Sequence, residues 1–584
     1  MWHHQSKFAP DCITVIGEIN LTVHERNALQ FGLKHHILAK SFDTDKVKAN
    51  IECAVDTAIS KTNTKTDFDF CDDVKRCFFE FEKKSKFILQ SKRNVALHRT
   101  LLKLSKNDNI CSCPYDKGNG LVVMPRSEYY KKLDSIVEDQ SKFVKINVDN
   151  SSPKSHPIVA KERSIGYYVR TYLMCDCGHG CDCDNKAFKK LIPSGTSPGK
   201  LYGLCKVHKE SKAMRPIVSM VNTPEYKLAK YLDGFIKPNI PDQFMLSSTA
   251  DFISVINSYP LKGDEYLVSY DVTSLFTNVP LQETIDIVVK YVYSKDSVAK
   301  PTFSKKVFRK MLLICSQSFF MYKDQLYQQV NGVSMGGPLA PSLANAFLAN
   351  LENNLLNAKP KSSSAHPKLY LRYVDDCFSI FDDEESANLF LDTLNTLHPS
   401  IKFTVEAGNK SLAFLDINIS IDGQTLSTSV YRKPTHTGVF LNYHALVPTS
   451  WKKGLIMCLL HRAKAICSSH SLLSSEINNL KEMFMKNCYP ANFLDRVVEK
   501  FMTSHRSSVS SSTTDSEDVP FVVLTVPFYG RCSETFAKKL SDIIESKFAV
   551  KVRVSYCTFK VKSYFCLKCS TPLYLMSNVI ALAA

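Results

Sequence analysis

Apolar positions recur along the 584 residues with a period that changes from region to region. Between 12 and about 105 it is helical: Ala28, Leu29 and Leu33 follow Glu25 at helical spacing, and Val74, Cys77, Phe78 and Phe81 repeat the pattern. From about 108 to 224 the chain carries more Gly, Pro and Cys. Its apolar runs shorten, as at 121–124, which predicts loops and hairpins on a sheet. From about 265 to 440 strand-like runs alternate with helical patterns. Residues 266–270 predict a strand. Residues 337–355 predict a helix with Pro338 in its first turn, where a missing N–H costs least. The apolar runs 369–374 and 377–381 flank Asp375-Asp376, the pattern of a tight hairpin. Helical spacing then dominates, at 451–467, 472–487 and 491–502, with breaks at Ser-rich turns and at Tyr489-Pro490. A Ser/Thr-rich stretch at 505–518 reads as a linker. A strand (521–527), a helix (534–548) and a strand (550–559) follow it.

These changes divide the chain into a helical extension (1–105), a mixed sheet-and-helix body (106–440), a helical region (441–505), a linker (506–520) and a C-terminal βαβ segment (521–584). The fold class expected is α+β. An apolar fraction of 44% with 22% charged residues is globular, and the length exceeds what one core supports. The formal net charge of +17 changes the picture more. An excess of that size suits a polyanionic partner, because each cation that neutralises a phosphate releases a counterion; anionic membranes attract basic proteins as well. No apolar stretch is long enough to span a bilayer, and the first residues lack the apolar segment of a secretory signal. Many of the 20 cysteines lie inside apolar runs such as 311–315 and 457–460. They read as reduced core residues of a cytosolic or nuclear protein that is not secreted and not in a membrane.

Candidate chemistry concentrates at the hairpin. Two adjacent carboxylates between apolar strands are costly unless a cation compensates them, and hard Mg²⁺ prefers oxygen ligands. Asp271, directly after the strand at 266–270, supplies a further acid. Three acids of this kind suit two divalent ions (Mg²⁺ or Mn²⁺) acting on an in-line displacement. Taken singly, an Asp-Asp is usually a turn and an Asp after a strand usually a helix cap. Their order, with the Gly-rich segment 331–341 between them, argues for function.

The segment Tyr373-Val374-Asp375-Asp376 resembles the Tyr-x-Asp-Asp signature of reverse transcriptases. The resemblance implies a right-hand polymerase with fingers and palm at 106–440, an antiparallel palm sheet and a helical thumb at 441–505. It implies RNA-directed DNA synthesis from dNTPs on an RNA template and a DNA primer. Asp271 then matches the first catalytic acid, and Phe276 the steric gate that selects deoxynucleotides. Arg215 matches the triphosphate-binding arginine, with Lys206 or Lys209 as a second cation. Met335 and Gly336, within 331–341, match the loop-to-helix segment under the templating base pair, although many members carry Gln at Met335 and Ser at Gly337. Lys402 and Lys410 are both candidates to protonate pyrophosphate, and nothing in the sequence chooses between them.

Four further segments resemble Penelope-like retroelements: 116–124, 202–209, 413–417 and 430–436, the last reading Val-Tyr-Arg-Lys-Pro-Thr-His. The resemblance covers about residues 12–580. It implies use of a nicked chromosomal end in the nucleus, after synthesis in the cytoplasm. Many members carry a C-terminal GIY-YIG endonuclease. Here 572–580 resembles its lead-in and no catalytic motif follows, so a nicking endonuclease acting in trans is expected. The alternative is a decayed or co-opted copy that binds nucleic acid without polymerising. Cys175, Cys177, His179, Cys181 and Cys183 have the donors for Zn²⁺ but lie closer together than the usual structural spacing, and a Cys-rich loop is the other reading. The Cys566/Cys569 pair has no second pair after it.

Overall fold

Residues 266–270 begin a longer strand, Tyr266–Val272, because period-two alternation continues through Asp271 to Val272. The computed structural model describes residues 12–147, 156–174, 185–207, 209–357, 366–409, 411–504 and 519–565. Tyr266–Val272 lies inside a four-stranded antiparallel sheet. One neighbour is Asp376–Phe381, itself paired with Leu369–Tyr373, and the other is Phe403–Asn409.

Alternation assigns the faces of this sheet. Directly opposed residues share a face, and neighbours along a strand do not. Val268, Tyr270, Val272, Tyr370, Cys377 and Phe381 point to one side, where helices cover them in a large apolar core. That core includes the buried helix Ala340–Leu356, so rich in Ala and Leu that it packs all round. Leu267, Leu371, Phe378 and Ile380 point to the other side. Leu412, Phe414, Ile417 and Ile419 of a small antiparallel sheet (Ser411–Phe414, Ile417–Asp422, Thr425–Val430) cover them. A second, five-stranded sheet has Phe143–Ile146 at one edge and Met214–Ser219 at the other. These elements belong to one compact unit, residues 129–433 with 465–472.

The other unit draws on residues within 1–128, 434–464 and 473–584. Phe521–Pro527 and Lys551–Cys557 pair in parallel around the crossover helix Arg531–Lys547, as the alternation predicts. Val522, Leu524 and Val526 pack with Val47, Ile51, Ala54 and Ala58 of helix Thr44–Thr62 and with Phe78 and Phe81 of helix Phe68–Leu89. The Phe81 and Phe536 rings stack at 4.2 Å. The N-terminal helices and the C-terminal βαβ segment thus share one core. Ile110–Pro114 and Leu121–Pro125 lie here too, the latter paired in parallel with Ile13–Val15. The described helices of 441–504 are Thr449–Ile466, His470–Lys486 and Ala491–Ser504. Among the described residues no helix is long and apolar enough to cross a membrane.

One predicted boundary needs correction. The helix expected from 337 begins at Ala340, with Pro341 rather than Pro338 in its first turn. Gly336, at φ +116°, runs so close to the fingers strand that an added Cβ would lie 2.5 Å from the Val218 carbonyl. From there the chain makes two turns, with the Gly337 N–H donating to Ser334 at 3.0 Å and the Ala340 N–H to Gly337 at 3.3 Å, before the helix begins.

Candidate active site

The hairpin turn is as tight as the sequence predicts. Tyr373 pairs with Asp376, leaving Val374 and Asp375 as a two-residue turn. Val374 takes φ +56°, an outlier for a β-branched residue, at a cost of about 1–3 kcal/mol. Such a turn persists only where its surroundings over-determine it, and here they do. The Val272 N–H donates to the Asp375 carbonyl at 3.2 Å. Arg372 Nη1 donates to the Val374 carbonyl at 3.0 Å.

The same register brings the acids together. Asp376 lies directly opposite Asp271, on the face away from the buried helix. Carboxylates so opposed have Cβ atoms on the order of 5 Å apart and repel one another. Both are half-buried, as is Asp375 in the turn. Among the described residues no three His, Cys, Asp or Glu side chains converge on one cation position. Magnesium seldom uses an all-protein cage; it takes one or two carboxylates and completes its shell with water and substrate phosphates. Two facing carboxylates and a third on the adjoining turn, all oxygen donors, fit that mode.

Behind the hairpin lies a buried polar cluster. Arg372 is 0% exposed and Glu352, on the buried helix, 4%. Arg372 Nε donates to Glu352 Oε1 at 2.5 Å and Nη2 to Oε2 at 3.0 Å, a two-pronged pair. Arg372 Nη1 also reaches Asn345 Oδ1 at 2.9 Å, and the Tyr370 hydroxyl donates to Glu352 Oε1 at 2.8 Å. Burial pushes the Tyr370 hydroxyl and the Cys377 thiol well up, so both stay neutral. Sequence reasoning gave these residues no role. Their signal was there: an arginine inside the apolar run 369–373, and a glutamate in an Ala/Leu-rich helix, each needing a partner once buried.

A chain of backbone contacts links Asp271 to the fingers. After Ser274 at φ +52°, a short turn of helix (Leu275–Asn278) carries Phe276, half-buried against the main core. The Val333 N–H donates to the Phe276 carbonyl at 2.7 Å, and a Cβ on Gly332 would lie 2.9 Å from that oxygen. Met335 in turn accepts from the Val218 N–H at 3.1 Å. Val218 lies on the strand Met214–Ser219, which also carries Arg215. The Lys206 N–H donates to Ala213 at 2.8 Å where this hairpin closes. The structure therefore joins the segments bearing Asp271, Phe276, Met335, Gly336 and Arg215 in sequence. Lys402 is held nearby, its carbonyl accepting from Thr273 at 2.8 Å and its ammonium donating to the Asn395 carbonyl at 2.8 Å. Lys410, the Cys-rich cluster at 175–183 and Cys566/Cys569 lie outside the described residues.

Residues 207–426, which hold all three acids, match the reverse transcriptase (RNA-dependent DNA polymerase) family. This chain carries a reverse transcriptase domain. Its enzyme class is RNA-directed DNA polymerase and its architecture the right-hand polymerase fold. Residues 439–499 match the animal helix-turn-helix domain family, over the helices after the palm. Among solved structures it is similar to telomerase from Candida albicans in complex with a telomeric RNA fragment (11% identity, 88% of each chain, TM-score 0.44). Others are apo telomerase from Candida tropicalis (10% identity, 87% of this chain and 93% of that one, TM-score 0.39) and the Sicinivirus 3Dpol RNA-dependent RNA polymerase (11% identity, 85% and 98%, TM-score 0.37). No curated protein sequence matches this chain.

Proposed function

We propose that this reverse transcriptase is the polymerase of a Penelope-like retroelement, and that Asp271, Asp375 and Asp376 are its catalytic, metal-holding acids. The observation that carries the chemistry is the register of Asp271 against Asp376, on one face at one end of the sheet. Two Mg²⁺ or Mn²⁺ ions held there would activate the primer 3′-hydroxyl and stabilise the leaving pyrophosphate. The chain's own residues do the rest by position and charge. Arg215, with Lys206 beside it, would bind the triphosphate oxygens. Met335 and Gly336 let the backbone approach the templating base pair. Phe276 would exclude a ribose 2′-hydroxyl.

The Penelope-like assignment is supported by the segments at 116–124, 202–209, 413–417 and 430–436. With it come an RNA template and a nicked chromosomal primer in the nucleus. The test is extension of a DNA primer on an RNA template with Mg²⁺ or Mn²⁺. Extension with dNTPs that is lost in both Asp375→Ala and Asp271→Ala is the expected result. Full activity in either mutant would remove that acid from the site.

A further inference from the structure

Asp375 is joined to its neighbours through two peptide planes, and the fold pins both. The plane after it is held by the Val272 N–H, which donates to the Asp375 carbonyl. The plane before it is held by Arg372, whose Nη1 donates to the Val374 carbonyl at 3.0 Å. Val374 sits at φ +56°, where a branched side chain resists staying. The group that grips its carbonyl therefore opposes relaxation of the turn.

Arg372 is itself held rigidly. Its backbone N–H donates to Phe244 at 2.7 Å and its carbonyl accepts from Leu246 at 2.8 Å, so the strand is bonded on that edge as well. Its guanidinium is caught from the helix by Glu352 and Asn345. Those two residues are seven apart, two turns along one helix face. A fully buried ion pair gains little stability over an apolar pair of the same volume, so stability alone explains it poorly. A planar fork that bonds a carboxylate, an amide and a strained carbonyl at once can fix a geometry, and a lysine cannot match it.

We infer that Arg372 is a positioning residue for the polymerase reaction, carrying the placement of helix Ala340–Leu356 through the Val374 carbonyl to Asp375 in the hairpin turn. This rests on Asp375 being a catalytic acid. Arg372 is 0% exposed, so its effect runs through Asp375 rather than by contact with substrate.

The experiment compares wild type, Arg372→Lys, Asn345→Ala and Asp375→Ala as full-length protein. It reads kcat and KM for dNTP in primer extension, the thermal unfolding midpoint, and amide hydrogen exchange over residues 372–377. Arg372→Lys keeps a cation beside Glu352 but loses the simultaneous reach to Val374. The expected result is a kcat about 10- to 100-fold lower, as for a displaced reacting group, with dNTP KM within about threefold of wild type. Faster amide exchange at 374–376 accompanies it while the unfolding midpoint stays near wild type. Asn345→Ala, which frees one prong, moves kcat and exchange the same way by a smaller factor. A folded Arg372→Lys with kcat within about twofold of wild type, beside an inactive Asp375→Ala, overturns the positioning role and leaves the acid assignment standing. An active Asp375→Ala overturns both. If Arg372→Lys does not fold, Asn345→Ala decides, and unchanged kcat with unchanged exchange overturns the inference.

Discussion

The palm sheet and the parallel βαβ sheet of Phe521–Pro527 and Lys551–Cys557 are both built by alternation, yet their covered faces differ in kind. Behind the palm sheet the apolar layer is interrupted by Arg372, Glu352, Asn345 and Tyr370, joined by hydrogen bonds at 2.5–3.0 Å. Behind the βαβ sheet the layer is Val522, Leu524 and Val526 on aliphatic and aromatic side chains, with Phe81 stacked on Phe536. Apolar packing is non-directional and supplies stability. Hydrogen-bonded charge is directional and fixes where a backbone goes. The sheet proposed to hold the catalytic acids carries the second kind, and the sheet that packs on the N-terminal helices relies on the first.

The comparison breaks first at the acids. Asp375→Ala or Asp271→Ala is expected to lower dNTP incorporation by on the order of 10³-fold or more while the unfolding midpoint barely falls, as steady-state kinetics beside calorimetry would read. Asp271→Asn goes further and is expected to raise stability by about 0.5 kcal/mol, because it removes one of two like charges set opposite each other. A midpoint that dropped sharply in either would mean that the acids hold the sheet together.

Phe536→Ala tests the opposite sheet. Emptying a buried, stacked ring there is expected to cost about 3–5 kcal/mol in urea unfolding. A loss below about 1 kcal/mol would show that packing on Phe81 is not what joins the βαβ segment to the N-terminal helices.

At Phe276 the effect is smaller and concerns selection. Phe276→Ala is expected to reduce discrimination against rNTPs by about 10- to 100-fold in kcat/KM ratios, since the ring acts by volume. Unchanged discrimination would remove Phe276 as the gate.

A pH-dependent effect, small near neutrality, sharpens the contrast, because the unit of the βαβ sheet has a buried polar group of its own. His36 pairs by backbone with Lys560, and its Nδ1 meets the Thr558 hydroxyl at 2.8 Å. Burial and the Lys560 ammonium lower its pKa to about 3. The unfolded chain takes up this proton near pH 6.5 and the folded chain does not. Stability is therefore full above pH 6.5 and falls as pH drops from there toward 3, by up to one proton's worth of slope. His36→Gln should flatten that part of the stability-against-pH curve. An unchanged slope would mean that His36 protonates freely in the folded protein.

The sequence by itself determined the elements and their chemistry. The apolar runs around Asp375-Asp376 have the pattern of a tight hairpin. The period at 521–559 could only give strand, helix, strand. The oxygen ligands, the aromatic at Phe276 and the cations at Arg215 and Lys206 were legible as residue types, because short-range periodicity and ligand chemistry are local properties. The start of the buried helix was not, since the turns at 334–340 that precede it follow the close packing of Gly336 on Val218, more than a hundred residues away.

Only the tertiary structure decided which partners these elements met. It set Asp271 opposite Asp376, which depends on the register between strands a hundred residues apart. It gave Arg372 and Glu352 each other, where the sequence showed only two charges in apolar runs. It closed the N-terminal helices onto the C-terminal βαβ segment. Register and long-range pairing are set by the packing of whole faces, and a face exists only once the chain has folded.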